Sequence, residues 1–347
     1  MKKIILLFLV IAFSAFVLNA QTPQLKRSSP KAKPTVPSIK KSTGKSSKQL
    51  AEIKQWEEVM ISAGNNEQYD TVEVYAGKIL SKDNANAMAL YELGNAFKQR
   101  RIKLDSAKVL FEMTIRYTPT HFRAYGDLAV LLEEGGNTVQ AIEMARKGIE
   151  LGTSESGNVA IAYKNLGGYF IKTMQYDSAI VAYNNAIRIN PQYVNAYYDL
   201  GYANSKLKLY ADAADAFEHV IDLAPNDESL KFSSLKYLAW YYGGEKGSNM
   251  TKAVKYAELG VKMNPGEEEF VFVLADKYQS DGNWYGYLEV YKGLSNANQN
   301  DNKAPQAVAY AYQQLGNQTD ALVWLKIAAR RGNETAQNAL RNAGVDW

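Results

Sequence analysis

From Leu50 onward, small and apolar residues recur in blocks with a period of about 34 residues, and each block reads as two helices joined by a turn. Two consecutive blocks, Tyr163–Pro191 and Tyr197–Pro225, are offset by 34 residues and show the pattern most plainly. In each, the glycine of a Leu-Gly pair is followed 12 residues later by alanine, and 12 after that by proline. The sets are Leu166-Gly167, Ala179 and Pro191, then Leu200-Gly201, Ala213 and Pro225. Small residues at a crossing let two helices approach closely, so the glycine of the first helix is expected to face the alanine of the second. Phe170 and Tyr183 fill the gaps beside that crossing in one block. Phe217 does so in the next, where Asn204 replaces the other large residue. Proline cannot continue an i→i−4 ladder, so it closes the second helix.

Looser copies extend the series in both directions. Upstream are Leu93-Gly94, Phe97, Ala107, Phe111 and Pro119, then Tyr125, Leu128-Ala129, Leu132, Ala141 and Ala145, with Thr153 in place of proline. Downstream are Leu238-Ala239, Tyr242, Ala253, Ala257 and Pro265. A weaker block follows, with Leu274-Ala275, Tyr278, Gly282 and Tyr291, and with Tyr287 where alanine is expected. The last block has Val308-Ala309, Tyr312, Gly316, Ala321, Leu325 and Ala328, and a degenerate first one has Trp56, Tyr69-Asp70, Val72, Ala76 and Ile79.

On these residues the chain resembles tetratricopeptide repeat proteins. Ala328–Gly332 and Ala336–Leu340 are also similar to the related Sel1-like repeat. The resemblance implies an all-α fold, an α-solenoid of antiparallel helix hairpins wound as a right-handed superhelix. It implies about eight units over residues 50–335 and a capping helix and tail over 336–347. First helices would line the concave face, where such proteins hold a protein or peptide partner. Carried over position by position, that groove includes Tyr91, Glu92, Asn95, Asp127, Val130, Lys164, Asn165, Ile171, Tyr198, Asp199, Tyr202, Tyr237 and Trp240. The partner-binding residues expected from this reading are Tyr91, Asn95, Lys164, Asn165, Tyr198, Tyr202 and Trp240. The subclass that clamps an acidic C-terminus uses Lys and Asn four residues apart. Here Gly168 follows Lys164 at that spacing and the next unit offers Tyr198 beside Asp199, an acid, so that clamp is not expected.

The residues before Leu50 are of two other kinds. Met1–Ala20 has Lys2 and Lys3 ahead of an apolar run ending at Leu18-Asn19-Ala20, the pattern of a bacterial secretory signal peptide cleaved after Ala20. The run is short for a bilayer span, which needs about 20 residues. An exported protein, periplasmic or extracellular, is expected. Gln21–Gln49 holds eight basic residues, six serines and four prolines with no acidic or aromatic residue, a composition that cannot bury apolar area. It reads as a solvated spacer or as a peripheral contact to anionic lipid or envelope polymer. Without an aromatic to stack on a base it does not point to nucleic acid. Two of the 40 basic residues lie in the leader and eight in this tail, which leaves 30 against all 36 acidic ones. The overall charge of +4 therefore hides a repeat region of net charge −6.

Chemistry is sparse. With no Cys there are no disulfides, thiolate zinc sites or cysteine nucleophiles, and two His leave little for a triad or a histidine-rich metal site. His121 and His219, 98 residues apart, read as surface histidines. No HExxH, GxSxG or GxxxxGK motif occurs, and Tyr242–Gly247 reads as a lengthened turn. No catalytic residue, cofactor or metal is expected. The reading is a non-enzymatic scaffold of the cell envelope. The alternative is a glycan-associated binding protein that uses Tyr198, Tyr202 and Trp240 as stacking platforms, in a chain holding 24 Tyr. Finally, Asp70-Thr71-Val72, Asp105-Ser106-Ala107 and Asp177-Ser178-Ala179 share a triplet. It is similar to a bacterial O-glycosylation acceptor at Thr71, Ser106 and Ser178, but an Asp or Ser cap on each second helix accounts for all three.

Overall fold

Seventeen helices and no strand occur among the described residues, which are 44–152, 157–224 and 227–347 of a computed structural model. The leader, most of the basic tail, Thr153 and Pro225 lie outside them. Successive helices pair as hairpins. The first four pairs are α1 (Ser47–Asn65) with α2 (Tyr69–Lys82), α3 (Ala87–Gln99) with α4 (Leu104–Tyr117), α5 (Phe122–Glu134) with α6 (Thr138–Leu151), and α7 (Gly157–Lys172) with α8 (Tyr176–Ile189). The next four are α9 (Val194–Lys206) with α10 (Tyr210–Leu223), α11 (Glu228–Gly243) with α12 (Met250–Met263), α13 (Glu268–Ser280) with α14 (Trp284–Ala297), and α15 (Ala304–Gln314) with α16 (Gln318–Arg330). A ninth-pair position holds only α17 (Glu334–Asn342), which buries Ala336 and Leu340 against Ala328 and Ala329. Each pair packs on the next, the one-dimensional arrangement of a solenoid. First helices also touch one another, α1 with α3, α5 with α7, α7 with α9 and α11 with α13. They form the closely spaced row that lines a groove.

Tight hairpins come from two local devices. Every turn within a pair contains a residue in the left-handed region, Glu67, Arg101, Gly136, Met174, Lys208, Ser248, Gly282 or Gly316, and the turn between α3 and α4 holds Lys103 there as well. That residue lets the chain reverse while the orphan carbonyls of the first helix are met by the turn, as where Gln175 N–H donates to Phe170 O at 2.8 Å. Glycine takes this conformation without strain, and it does so in three of these eight turns.

The second device is the Leu-Gly pair, and here the structure changes the expected contact. A Cβ on Gly167 would meet the Tyr183 ring at 2.5 Å, and one on Gly201 would meet the Phe217 ring at 2.9 Å. The glycine is covered by the aromatic four residues after the alanine, not by Ala179 or Ala213. Those alanines are fully buried and let the second helix come close, while the ring seals the crossing.

The Asp-Ser/Thr triplets are also not caps. The cap positions are Gln68, Lys103 and Gln175, none of which makes a side-chain cap hydrogen bond. The aspartates sit at the second helical position, where a negative charge favours the helix N-terminus.

One polar cluster ties three helices. Glu218 of α10 accepts hydrogen bonds from Tyr256 at 2.7 Å and Lys252 at 2.8 Å on α12, and from Tyr242 on α11 at 3.0 Å. Burial works to raise the Glu218 carboxyl, but the three donors together hold it below the usual range.

Candidate functional site

A cleft of about 410 Å³ opens in the groove across α3, α5 and α7. Tyr91 and Asn95 come from α3, Asp127 and Val130 from α5, and Asn165 from α7, with Ala145 and Gly148 of α6 as part of its floor. Residues one helical turn apart on these helices face the same way, which is why positions just before and after the small residue of each first helix converge here.

The cleft has a fixed polar wall. The Tyr91 hydroxyl donates to Asp127 Oδ2 at 2.9 Å and Lys98 Nζ donates to Oδ1 at 2.5 Å. Burial pushes the Tyr91 phenol up, and the charge and hydrogen bond of Asp127 push it further, so Tyr91 remains a donor. Burial likewise raises the Glu92 carboxyl; Arg123 opposes the rise and Asp127 adds to it. Lys98 is therefore committed to Asp127. Arg123, on the same face of α5 one turn before Asp127, is exposed and makes no ion pair among the described residues. A cation with free donors beside the amides of Asn95 and Asn165 can accept a carboxylate or a backbone carbonyl.

Of the seven expected binding residues, three line this cleft: Tyr91, Asn95 and Asn165. Tyr91 is buried, packed on Phe111 and on His121, so it shapes the wall more than it offers surface. Lys164 points instead to the next unit, 3.2 Å from Asp199. Burial raises the Asp199 carboxyl and Lys164 opposes it. Tyr198 is half-buried and packs edge-on against Phe217. Tyr202 and Trp240 are exposed, at 40% and 53%. Lys206 lies over the Tyr202 ring, and Trp240 packs edge-on to Tyr210. They do not line the cleft. Lys98 and Arg123 were not among the expected residues; the i−4 spacing of Arg123 from Asp127 was the available signal.

His121 is half-buried, not a surface residue. Its Nδ1 accepts from Ala124 N–H at 3.2 Å and so caps α5, while its ring lies 4.5 Å from that of Tyr91. Burial is the largest effect on it and holds its pKa below the usual value; a nearby Arg123 lowers it further and Asp127 opposes. A folded-state pKa below that of the unfolded chain contributes stability that is present above the unfolded value of about 6.5 and lost as pH falls through the folded value. Protonation also removes the acceptor that caps α5. Melting temperature should therefore fall more steeply between about pH 7 and about pH 5 for the native protein than for His121→Asn, whose amide oxygen can cap at either pH. Parallel curves for the two proteins would exclude this role.

Among the described residues no group of three His, Asp or Glu could hold a metal ion, and no helix is long and apolar enough to cross a membrane. His219 is exposed and stacks on Tyr197 at 4.7 Å. The Tyr242–Gly247 stretch forms the end of α11 and the turn that leads to α12.

Two family models match within the array: a TPR repeat over residues 172–208 and a tetratricopeptide repeat over residues 194–227. Small glutamine-rich tetratricopeptide repeat-containing protein 2 of Mycosarcoma maydis is 31% identical over 109 residues, which is 31% of this chain and 29% of that protein. The matched segment thus spans less than a third of that relative's length. Among solved structures, the C-terminal part of a TPR repeat-containing protein from Cytophaga hutchinsonii superposes with a TM-score of 0.57 at 18% identity, covering 73% of this chain and 99% of that one. PilF of Pseudomonas aeruginosa gives 0.52 at 13% identity, covering 67% and 99%. These likenesses bear on fold: the chain carries tetratricopeptide repeats and is an α-solenoid of that type. Proteins built from such repeats generally mediate protein–protein interaction.

Proposed function

We propose that this protein is a non-enzymatic scaffold that holds a segment of a partner polypeptide in the groove lined by its first helices. The observation that carries this reading is the cleft across α3, α5 and α7, where Arg123 is unpaired beside Asn95 and Asn165 while Tyr91, Lys98 and Asp127 hold one another in place. A wall whose rotamers are already fixed loses little entropy when it binds. The guanidinium of Arg123 and the amides of Asn95 and Asn165 supply convergent polar groups that orient a ligand beside that wall. We place the protein in the bacterial envelope, on the strength of the leader Met1–Ala20.

The test is photo-crosslinking in the native host, with the photoreactive residue at Val130. A discrete partner should be recovered on a protein whose N-terminus is Gln21. Arg123→Glu should lower that recovery at least about tenfold, as loss of a central charged anchor does. Recovery that is unchanged by Arg123→Glu and by Asn95→Ala/Asn165→Ala would remove the cleft from the function.

A further inference from the structure

Among the described residues, exposed aromatic side chains occur only from Tyr202 onward. The large exposed apolar residues before Tyr202 are all aliphatic; after it they include Trp240, Phe272, Tyr285 and Tyr310. Phe272 and Tyr310 meet at a second cleft of about 450 Å³ between α13, α14 and α15. Its lining includes the irregularity noted in the sequence. In six of the other seven hairpins a fully or nearly fully buried alanine begins the close packing of the second helix, whereas α14 has Tyr287. That ring is buried, lies 4.8 Å from Tyr291, and meets Trp284 and Tyr310 edge-on. This ring, in place of a methyl group, lines the cleft between the neighbouring first helices. Phe272, half-exposed on one wall, and Tyr310 on the other leave ring surface open to the space between.

The charges around this aromatic gap are of one predominant sign. Glu268 and Asp276 stand one turn before and one turn after Phe272 on α13, and both are exposed with no ion pair among the described residues. Asp301 lies on the far rim, its carboxylate already accepting from the Lys303 and Ala304 backbone N–H groups at 2.9 Å each. Lys303 is the cleft's cationic member. Neighbouring carboxylates Glu267 and Glu269 both pair with Lys236, at 2.6 Å and 3.1 Å. Two free carboxylates bracketing an open ring match a cation carried next to an apolar side chain. Ring faces attract such a cation as well.

We infer that the cleft between α13, α14 and α15 is a second docking site, which takes a basic peptide segment bearing an apolar or aromatic anchor between Lys or Arg residues. Its preference is opposite to that of the α3–α5–α7 cleft, where the free group is the Arg123 cation. A single partner strand, or two partners, would then be read for charge at both ends of the groove.

Three synthetic peptides of equal length test this, each with one central Trp flanked by Arg, by Gln or by Glu, with binding to the full chain read by fluorescence anisotropy. The Arg-flanked peptide should bind about tenfold more tightly than the Gln-flanked one and the Glu-flanked peptide most weakly, a preference that added salt reduces. Phe272→Ala should abolish binding of the Arg-flanked peptide, and Glu268→Lys/Asp276→Lys should reverse the order. Both changes are at exposed positions, and unchanged helical circular dichroism verifies folding. Arg123→Glu should leave the affinity of the Arg-flanked peptide unchanged, so this proposal and the reading of the first cleft can fail separately. Absence of binding, equal binding of the three peptides, or binding that survives Phe272→Ala would overturn it. So would capture of neutral oligosaccharides at Phe272 in place of peptides.

Discussion

Gly167→Ala should destabilise the protein by about 1–2 kcal/mol net, whereas Gly168→Ala should be neutral or stabilising by up to about 1 kcal/mol. The two glycines are adjacent in the middle of α7, so each substitution gains the same backbone term: alanine is favoured over glycine in a helix interior. What differs is the space. An added methyl at Gly167 comes within 2.5 Å of the Tyr183 ring, while one at Gly168 meets nothing within 4 Å. Tyr183 is 1% exposed and cannot swing away. Relief must come from α7 and α8 moving apart, which loosens contacts along both helices. Urea denaturation of the two variants side by side cancels the propensity term, and the difference between them measures crossing strain alone. Tyr183→Leu should recover part of the Gly167→Ala loss, the coupling expected of side chains that touch. Equal stability of the two variants would mean that the helix crossing is not what fixes the Leu-Gly pair.

That experiment probes the part of the structure that the sequence displays most openly. A repeated unit must satisfy the same steric demand each time, so Gly167, Gly201 and the alanines 12 residues later announce the hairpins by spacing alone. The identity of the covering group was harder to read. Spacing marks which positions are small and which large, but not that the Tyr183 ring lies over Gly167 and Ala179 does not. Site residues were legible only as far as helix geometry determines them. The face of α3, α5 and α7 that carries Tyr91, Asn95, Asp127 and Asn165 follows from their place beside the small residue. Which cation stays free does not follow. Lys164 and Lys98 are both consumed by aspartates on the next first helix, and Arg123 is not. Such pairings join residues about one repeat apart, and no local rule ranks them. The second cleft lies under a signal visible in the sequence, the missing alanine of the weaker block. Tyr287, which weakens the repeat pattern by standing where alanine is expected, lines that cleft.

Arg331→Ala should cost about 2–3 kcal/mol and should act on the last helices rather than on the whole chain. The Arg331 guanidinium reaches from the end of α16 to the C-terminus of α14. Nη1 donates to Ser295 O at 3.1 Å, Ser295 Oγ at 3.0 Å, Asn298 O at 3.3 Å and Asp301 O at 3.1 Å, and Nη2 donates to Gln299 Oε1 at 2.8 Å. The last carbonyls of a helix lack intrahelical partners and carry the negative end of its dipole. A planar fork with several donors can meet several of them together, and a lysine cannot, so Arg331→Lys should recover less than half of the loss. Asn333 reinforces the same junction, donating to Asn302 O at 3.0 Å and Gln306 Oε1 at 2.9 Å. Because each hairpin depends on its neighbours, the loss should fray α15, α16 and α17 while α3 to α12 keep their protection from hydrogen exchange. The segment that Arg331 holds, Asn298 to Asp301, leads directly into the rim of the second cleft at Asp301 and Lys303. The same variant should therefore weaken the Arg-flanked peptide without touching the first cleft. Exchange that accelerates evenly along the array, or a lysine that serves as well as arginine, would show that the clamp is not what anchors this end.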